Sequence, residues 1–390
     1  MKNLKLLRII SSMDPSTGGP PMGISYVNEA LKGIGIDTTI VCLDDPNAEF
    51  IQKSALNLIA LGKSKGPWQF NAALGQWLNI NLKNYDVSIV HGLWLYTSFS
   101  SIRAFKKLIR ANSEIQYKIF LMPHGMLDPY FQNWAHRGIK PLRNFLYWHF
   151  IEKYNVKNYS GLFFTSELEL NLARDTFNGY KPQNEYMVGY GLKIPAIDKV
   201  KNIPKLKEDY FLFLGRIHPK KGIEILLNAY EKIIAENQII LPSLLIAGPG
   251  WNSKYGEDLK KKILSNVHLK NKIILKDALT GTEKWQYLKQ AKALILYSYQ
   301  ENFGLVVAES LGMATPVIVS KAVNIYELID NYMAGFSGEL NLNELVNILR
   351  NFQSLSLNEY VQMKENARKL YDNQFEPNTY SQRLKDFLVN

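Results

Sequence analysis

The sequence predicts an α/β protein of two doubly wound parallel-sheet domains, because short apolar runs alternate with helical stretches along its whole length. The chain has 390 residues, more than one core usually organises, and 46% of them are hydrophobic, enough to fill two. The alternation lapses once, over Ile194 to Asp209, which is rich in Lys and Pro and has little periodicity. That stretch reads as an interdomain linker.

In the first half, Leu4 to Ile10, Thr38 to Leu43, Leu56 to Leu61, Val87 to Val90, Lys118 to Met122 and Leu162 to Phe164 read as buried strands. Gly23 to Lys32 and Ser98 to Asn112 read as helices between them, and Val188 to Leu192 closes the half. The second half repeats the pattern with Tyr210 to Leu214, Leu244 to Ala247, Lys272 to Leu275, Ala293 to Tyr297 and Pro316 to Val319. Its helices are expected from Gly222 to Ala235, from Gly304 to about Leu311, and from Pro377 to Leu388.

Composition narrows the classes. A single cysteine, Cys42, excludes an intramolecular disulfide and fits a reducing compartment. No stretch reaches the length of apolar chain that a membrane span needs, and Met1 to Ile10 is too short for a signal peptide, so a cytoplasmic protein is expected. The net charge is +11, and residues 1 to 200 carry more of it, with 22 Lys and Arg against 15 Asp and Glu. Between Arg103 and Lys157 the count is ten basic to three acidic residues. Such a surface suits phosphate, nucleic acid or anionic lipid, but no RNA- or DNA-binding motif accompanies it, and nucleic acid is not an expected partner.

Several loops beyond strand ends carry chemistry. After the first strand, Ser11 to Pro21 (SSMDPSTGGPP) holds Gly18 and Gly19, which let backbone approach a ligand closely ahead of a helix starting near Met22. It is neither GxGxxG nor a P-loop, so a nicotinamide dehydrogenase or a kinase finds no support. His91 (VHGLW) reads as a core or capping group, whereas His124 sits in a sharp Pro-His-Gly turn at a strand's carboxyl end. In the second half, GRIHPKKG sets Arg216 and Lys221 at a loop-helix junction, where two cations can seat a diphosphate.

Ser298 to Val319 (SYQENFGLVVAESLGMATPVIV) delivers a loop from a strand and opens a helix, whose first N–H groups, at Phe303, Gly304 and Leu305, offer themselves to an anion. Glu301 lies on the loop, and Glu309 sits inside the helix among apolar residues, where a carboxylate is costly unless paired. Two carboxylates spread along one element suit an extended ligand with vicinal hydroxyls; the bland account is a loop Glu and a Glu paired structurally with Lys or Arg.

Two glutamates with seven residues between them and Phe303-Gly304 inside the gap resemble the signature of the family-4 retaining glycosyltransferases of the GT-B fold. The segment GRIHPKKG is similar to that family's Gly-Arg to Lys-Gly motif, and Gly18-Gly19 to its glycine-rich loop. The resemblance implies two Rossmann-like domains facing across a cleft, with residues 1–193 on the acceptor side, a linker over 194–209, a nucleotide-sugar domain over 210–375, and a helix over 376–390 returning to the first domain. It implies His124, Glu301, Arg216 and Lys221 as catalytic residues, and Gly18, Gly19, Asn302, Phe303, Gly304, Leu305 and Glu309, with the two cations, as donor-binding ones. The donor would be a UDP- or GDP-sugar, and no metal or cofactor is expected, since neither an Asp-x-Asp pair nor a metal-spaced cluster is present. In Lys276 to Gly281, Asp277 stands where the family has a glycine beside the base, which leaves the base open.

Tyr130 to Tyr154 packs eight aromatics with Arg137, Lys140, Arg143 and Lys153, helical from Pro141 onward. Filling the first core accounts for most of these aromatics; the sharper expectation is that 130–157 lies against an anionic membrane surface, as in transferases with lipid-linked acceptors. The expected activity is sugar transfer to a glycan or lipid-linked acceptor in bacterial surface polysaccharide synthesis. The alternatives are a nucleotide-sugar epimerase on the same fold and a non-catalytic sugar-nucleotide or glycan-binding protein.

Overall fold

The computed structural model describes residues 3–112, 114–133, 138–200, 209–236 and 239–389. The chain divides into two compact units, Met1–Lys193 with Glu376–Asn390, and Ile194–Phe375. Each is Rossmann-like, a wholly parallel sheet with helical crossovers.

The first sheet contains β1 (Leu4–Ile9), β2 (Ile36–Cys42), β3 (Leu58–Ala60), β4 (Val87–His91), β5 (Lys118–Met122), β6 (Gly161–Phe164) and β7 (Glu185–Met187), in the order β3-β2-β1-β4-β5-β6-β7. The second contains β8 (Tyr210–Leu214), β9 (Ser243–Ala247), β10 (Ile273–Lys276), β11 (Ala293–Leu296), β12 (Val317–Ser320) and β13 (Gly335–Gly338), in the order β10-β9-β8-β11-β12-β13. β4, β8, β9 and β11 are buried from end to end, as strands covered by helices on both faces must be. Both orders reverse direction once, between β1 and β4 and between β8 and β11. Those two points are where open α/β sheets leave a crevice for ligands.

The apolar runs mark their strands to within one or two residues, but β7 and β13 carry no such run. Both are edge strands, half-exposed over most of their length, and β13 begins and ends with glycine. The helix expected near Met22 starts earlier and spans Gly19–Gly33, with Pro20 and Pro21 in its first turn. Ile223–Glu236 and Leu305–Gly312 fall within two residues of expectation. Of the linker expected over 194–209, residues 201–208 lie outside the described residues; Ile197–Lys199 forms a short turn whose Ile197 and following Val200 carbonyls both accept from Lys289 Nζ at 2.9 Å.

The final helix, Pro377–Val389, packs within the first unit against Gly19–Gly33. Arg383 donates to the Val188 carbonyl at 3.2 Å and Lys385 to that of Ile34 at 2.8 Å. Cys42 is buried in β2.

Candidate active site

In the second unit, the switch point between β8 and β11 gathers the charged residues. The chain leaves β8 through Gly215, Arg216 and His218, makes one tight turn at Pro219–Lys221, and enters the helix Ile223–Glu236 through Gly222. Gly222 has φ +68°, and a Cβ there would lie 2.0 Å from the Tyr297 carbonyl oxygen. Only glycine fits where the loops after β8 and β11 touch. The loops are also tied by Tyr299 N–H donating to the Lys220 carbonyl at 2.8 Å. This closeness brings Lys221 onto Glu301, and the two form a half-buried ion pair. Arg216 stands exposed beside them, in no ion pair among the described residues.

Glu301 is itself anchored by backbone: its N–H donates to the Ala322 carbonyl at 2.9 Å, and its carbonyl accepts from Asn324 N–H at 3.0 Å. Gly304, at φ +73°, caps the helix Leu305–Gly312. The first helical bonds run from Val307 and Ala308 N–H to the Gly304 carbonyl, so the amides at the open end include that of Val306 beside the expected Gly304 and Leu305. The Phe303 ring packs edge-on to Phe375 at 5.2 Å, and Asn302 accepts from Asn324 at 3.4 Å. Val306 is therefore a donor candidate that the sequence reading passed over.

Glu309 is 4% exposed and accepts from Lys284 Nζ at 2.7 Å. Burial raises its pKa, and Lys284 works against that rise. The paired-glutamate account thus holds for one oxygen of Glu309. Lys284 lies on the helix Gly281–Gln290, with no motif to announce it.

The first unit's switch point is built differently. Arg8, on β1 and 2% exposed, donates through Nη1 to His91 Nε2 at 3.2 Å, and His91 Nδ1 lies 2.9 Å from His124 Nε2. A guanidinium can only donate, so His91 accepts at Nε2 and carries its proton on Nδ1, which donates to His124. The proton of His124 is then on Nδ1. Burial, followed by the charge of Arg8, holds His124 down to about 3, and burial, His124 and Arg8 hold His91 well below its usual range. Both rings are neutral near pH 7, and His124 is fixed as an N–H donor.

His124 has φ +54° and is followed by Gly125 at φ +78°. That turn is held by Glu169, buried, which accepts from Gly125 N–H at 2.5 Å and from Thr165 N–H at 2.8 Å. Sequence reading missed Arg8 and Glu169, and took His91 for a core group without seeing that it sets its neighbour's tautomer. A charged residue inside the apolar run LKLLRI was the available signal for Arg8.

Gly18 keeps its loop character, with φ +121°, whereas Gly19 is the first residue of the helix rather than part of the loop. Pro20 and Pro21 have no N–H, so this helix start is a poor phosphate cradle, unlike the one after Gly304.

In the aromatic segment, Trp134 and Arg137 lie outside the described residues. The helix Lys140–Tyr147 runs into a wider π-turn, Trp148–Glu152, and then Lys153–Val156. Core filling explains Trp148, stacked on Phe177 at 4.8 Å, but not Phe145, Phe150 or Tyr154, which are 57%, 70% and 54% exposed. The expectation that most of these aromatics enter the core is corrected accordingly. The helix and π-turn are short, and their repeat turns Ile139, Leu142, Leu146 and Phe150 outward. The inward side carries Glu152, fully buried and pushed up to about 7 by that burial, which accepts from Trp94 N–H at 3.1 Å and Ser98 Oγ at 3.0 Å.

Among the described residues, no group of three or more His, Cys, Asp or Glu is placed to hold a metal ion, and no helix is long and apolar enough to cross a membrane.

Residues 196–370 match the family described as Glycosyl transferases group 1. A glycosyltransferase of Methanocaldococcus jannaschii, itself uncharacterised, is 31% identical over 128 residues, which are 33% of this chain and 31% of that one. The chain thus spans about a third or less of the curated relatives it matches. Among solved structures, a glycosyltransferase from Rickettsia africae covers 100% of this chain and 98% of its own at a TM-score of 0.75 and 18% identity. HepE from Anabaena, in complex with UDP, covers 99% of this chain and 100% of its own at 0.72 and 16%. The family match falls within the second unit, and the structural likeness gives the GT-B fold.

Proposed function

We propose that the chain is a retaining glycosyltransferase, moving a sugar from a UDP- or GDP-sugar to a hydroxyl of a glycan or lipid-linked acceptor without a metal. The observation that carries this reading is the Lys221–Glu301 pair at the second switch point, with exposed Arg216 on the same loop as Lys221 and the open helix start at Leu305 on the same segment as Glu301. Arg216 and Lys221 would take the diphosphate, Glu301 the donor sugar's hydroxyls, and Glu309, through the oxygen not bound to Lys284, the ribose. The UDP held by the Anabaena neighbour supports a nucleoside diphosphate here.

As the glycosidic bond breaks, negative charge gathers on the diphosphate, and preorganised cations and amides stabilise it. Lys221 has three protons and gives one bond to Glu301, so it can hold the carboxylate and a phosphate oxygen together. In this reading His124 donates its Nδ1 proton to a sugar oxygen. Being neutral with a depressed pKa, it is no general base, so the acceptor's proton passes to the leaving phosphate on the same face. Residues 1–193 then serve the acceptor, 194–209 link, 210–375 hold the donor, and 376–390 complete the first domain.

The outward residues Ile139, Leu142, Phe145, Leu146 and Phe150, flanked by Lys140, Arg143 and Lys157, support a peripheral seat on an anionic membrane. Binding to phosphatidylglycerol vesicles should fall in Phe145→Ser/Phe150→Ser; equal binding to neutral vesicles would remove this part of the reading.

The test is a thermal-shift panel of UDP-, GDP- and ADP-sugars followed by product analysis. Stabilisation by one of them and a glycoside of unchanged anomeric configuration are expected. A free epimeric sugar, or tight binding without turnover, would replace this function with epimerisation or sugar-nucleotide binding.

A further inference from the structure

The helices Ala72–Asn81 and Tyr96–Ala111 of the first unit pack side by side and leave an open groove of about 710 Å³ between them. Arg103, Lys106, Lys107 and Arg110 line it. Spacings of three, four and seven put all four on one helix face, where like charges repel. Neither helix contains an acidic residue, and none of the four cations is in an ion pair among the described residues. A bound anion would relieve that repulsion.

The rest of the groove is not phosphate chemistry alone. Gln76 and Asn79 present exposed amides from the other wall. Half-buried Tyr96 and Phe99 form one end, backed by Trp68 at 5.2 and 5.4 Å, and the Arg103 guanidinium lies 5.3 Å from the Phe99 ring centre. Gly75, inside a helix where glycine is unfavourable, faces Tyr96: a Cβ there would lie 3.2 Å from the phenol oxygen, so its absence keeps that end open. Tyr96 to Arg110 spans about 21 Å of helix axis.

We propose that this groove binds an anionic oligosaccharide, with aromatic rings against sugar faces, amides on hydroxyls, and the four cations on carboxylate or phosphate-ester groups. The proposal rests on the reading that the first unit takes the acceptor. Tyr96 follows the loop that leaves β4 at His91, so the groove starts at the sheet end that carries His124 and leads away from it. A recess of this shape takes a linear chain, whereas the outward apolar residues near Phe150 offer a bilayer a protruding surface.

Titration calorimetry on the full chain decides it, with hexagalacturonate as the anionic probe and maltohexaose as the neutral one. Hexagalacturonate should bind at least about tenfold more tightly, and its affinity should fall with salt. Lys107→Ala/Arg110→Ala, both exposed, should weaken it about tenfold or more while leaving UDP and phosphatidylglycerol-vesicle binding unchanged. Tyr96→Ala should weaken both hexamers. Equal affinity for the two hexamers, no effect of the double variant, or tighter binding of a single-stranded oligonucleotide lost in that variant would overturn the proposal. Failure of UDP to bind the wild type would instead count against the glycosyltransferase reading, with the hexamer comparison still deciding the groove.

Discussion

The two switch points occupy the same place in the two sheets and present different groups. At the first, a buried arginine donates through Nη1 to the first of two neutral imidazoles in series, while its Nε and Nη2 have no hydrogen-bond partner among the described residues. At the second, two lysine–glutamate pairs are half-buried or deeper, and an exposed arginine leaves charge available at the surface. A desolvated neutral donor suits sugar oxygens, which carry no net charge. Accessible cations suit a diphosphate. One topology therefore supports a division of labour that the side chains alone decide.

Four substitutions or conditions bear on that contrast, in order of expected size. Arg216→Ala should lower kcat by about 10²- to 10³-fold, the scale of one lost oxyanion donor, with the melting temperature unchanged because the side chain is exposed. Lys221→Met strands half-buried Glu301 without its counter-ion and should destabilise the chain by about 1 to 3 kcal/mol in denaturant titrations. Adding Glu301→Gln should recover part of that loss; simple additivity would show that the pair is not coupled.

Acid should act through the first switch point. The folded pKa of His124, about 3, lies below the ordinary histidine value, so the unfolded chain takes up protons first and stability is lost as pH falls below about 6.5. At pH 5 that loss is about 2 kcal/mol from His124 alone, and His124→Gln should flatten the dependence. The smallest effect divides the glutamates. Glu301→Gln should impair transfer with little change in affinity for bare UDP, whereas Glu309→Gln should weaken UDP severalfold; equal effects on UDP would remove the assignment of Glu309 to the ribose.

Strand positions and the charged loops were legible because buried parallel strands are continuous apolar runs and the loops beyond them are short. Strand order was not, since no local pattern records which strands become neighbours, and the meeting of Lys221 with Glu301 depends on β8 lying beside β11. Edge strands β7 and β13 escaped for lack of an apolar run. His124 could be singled out by its Pro-His-Gly turn, but the partners that set its tautomer, Arg8 and His91, come from β1 and β4 and only pair once the sheet forms. Lys284 likewise reaches Glu309 from a separate helix. The exposed aromatics near Phe150 were misjudged because composition cannot tell the outer face of a short helix from the inner one.

The central claim is that the second switch point grips a nucleoside diphosphate through Arg216 and Lys221. Calorimetric titration of UDP and GDP into the wild type and into Arg216→Ala/Lys221→Met tests it most directly. At least a tenfold loss of affinity is expected for whichever nucleotide binds; an affinity unchanged by removing both cations would contradict it.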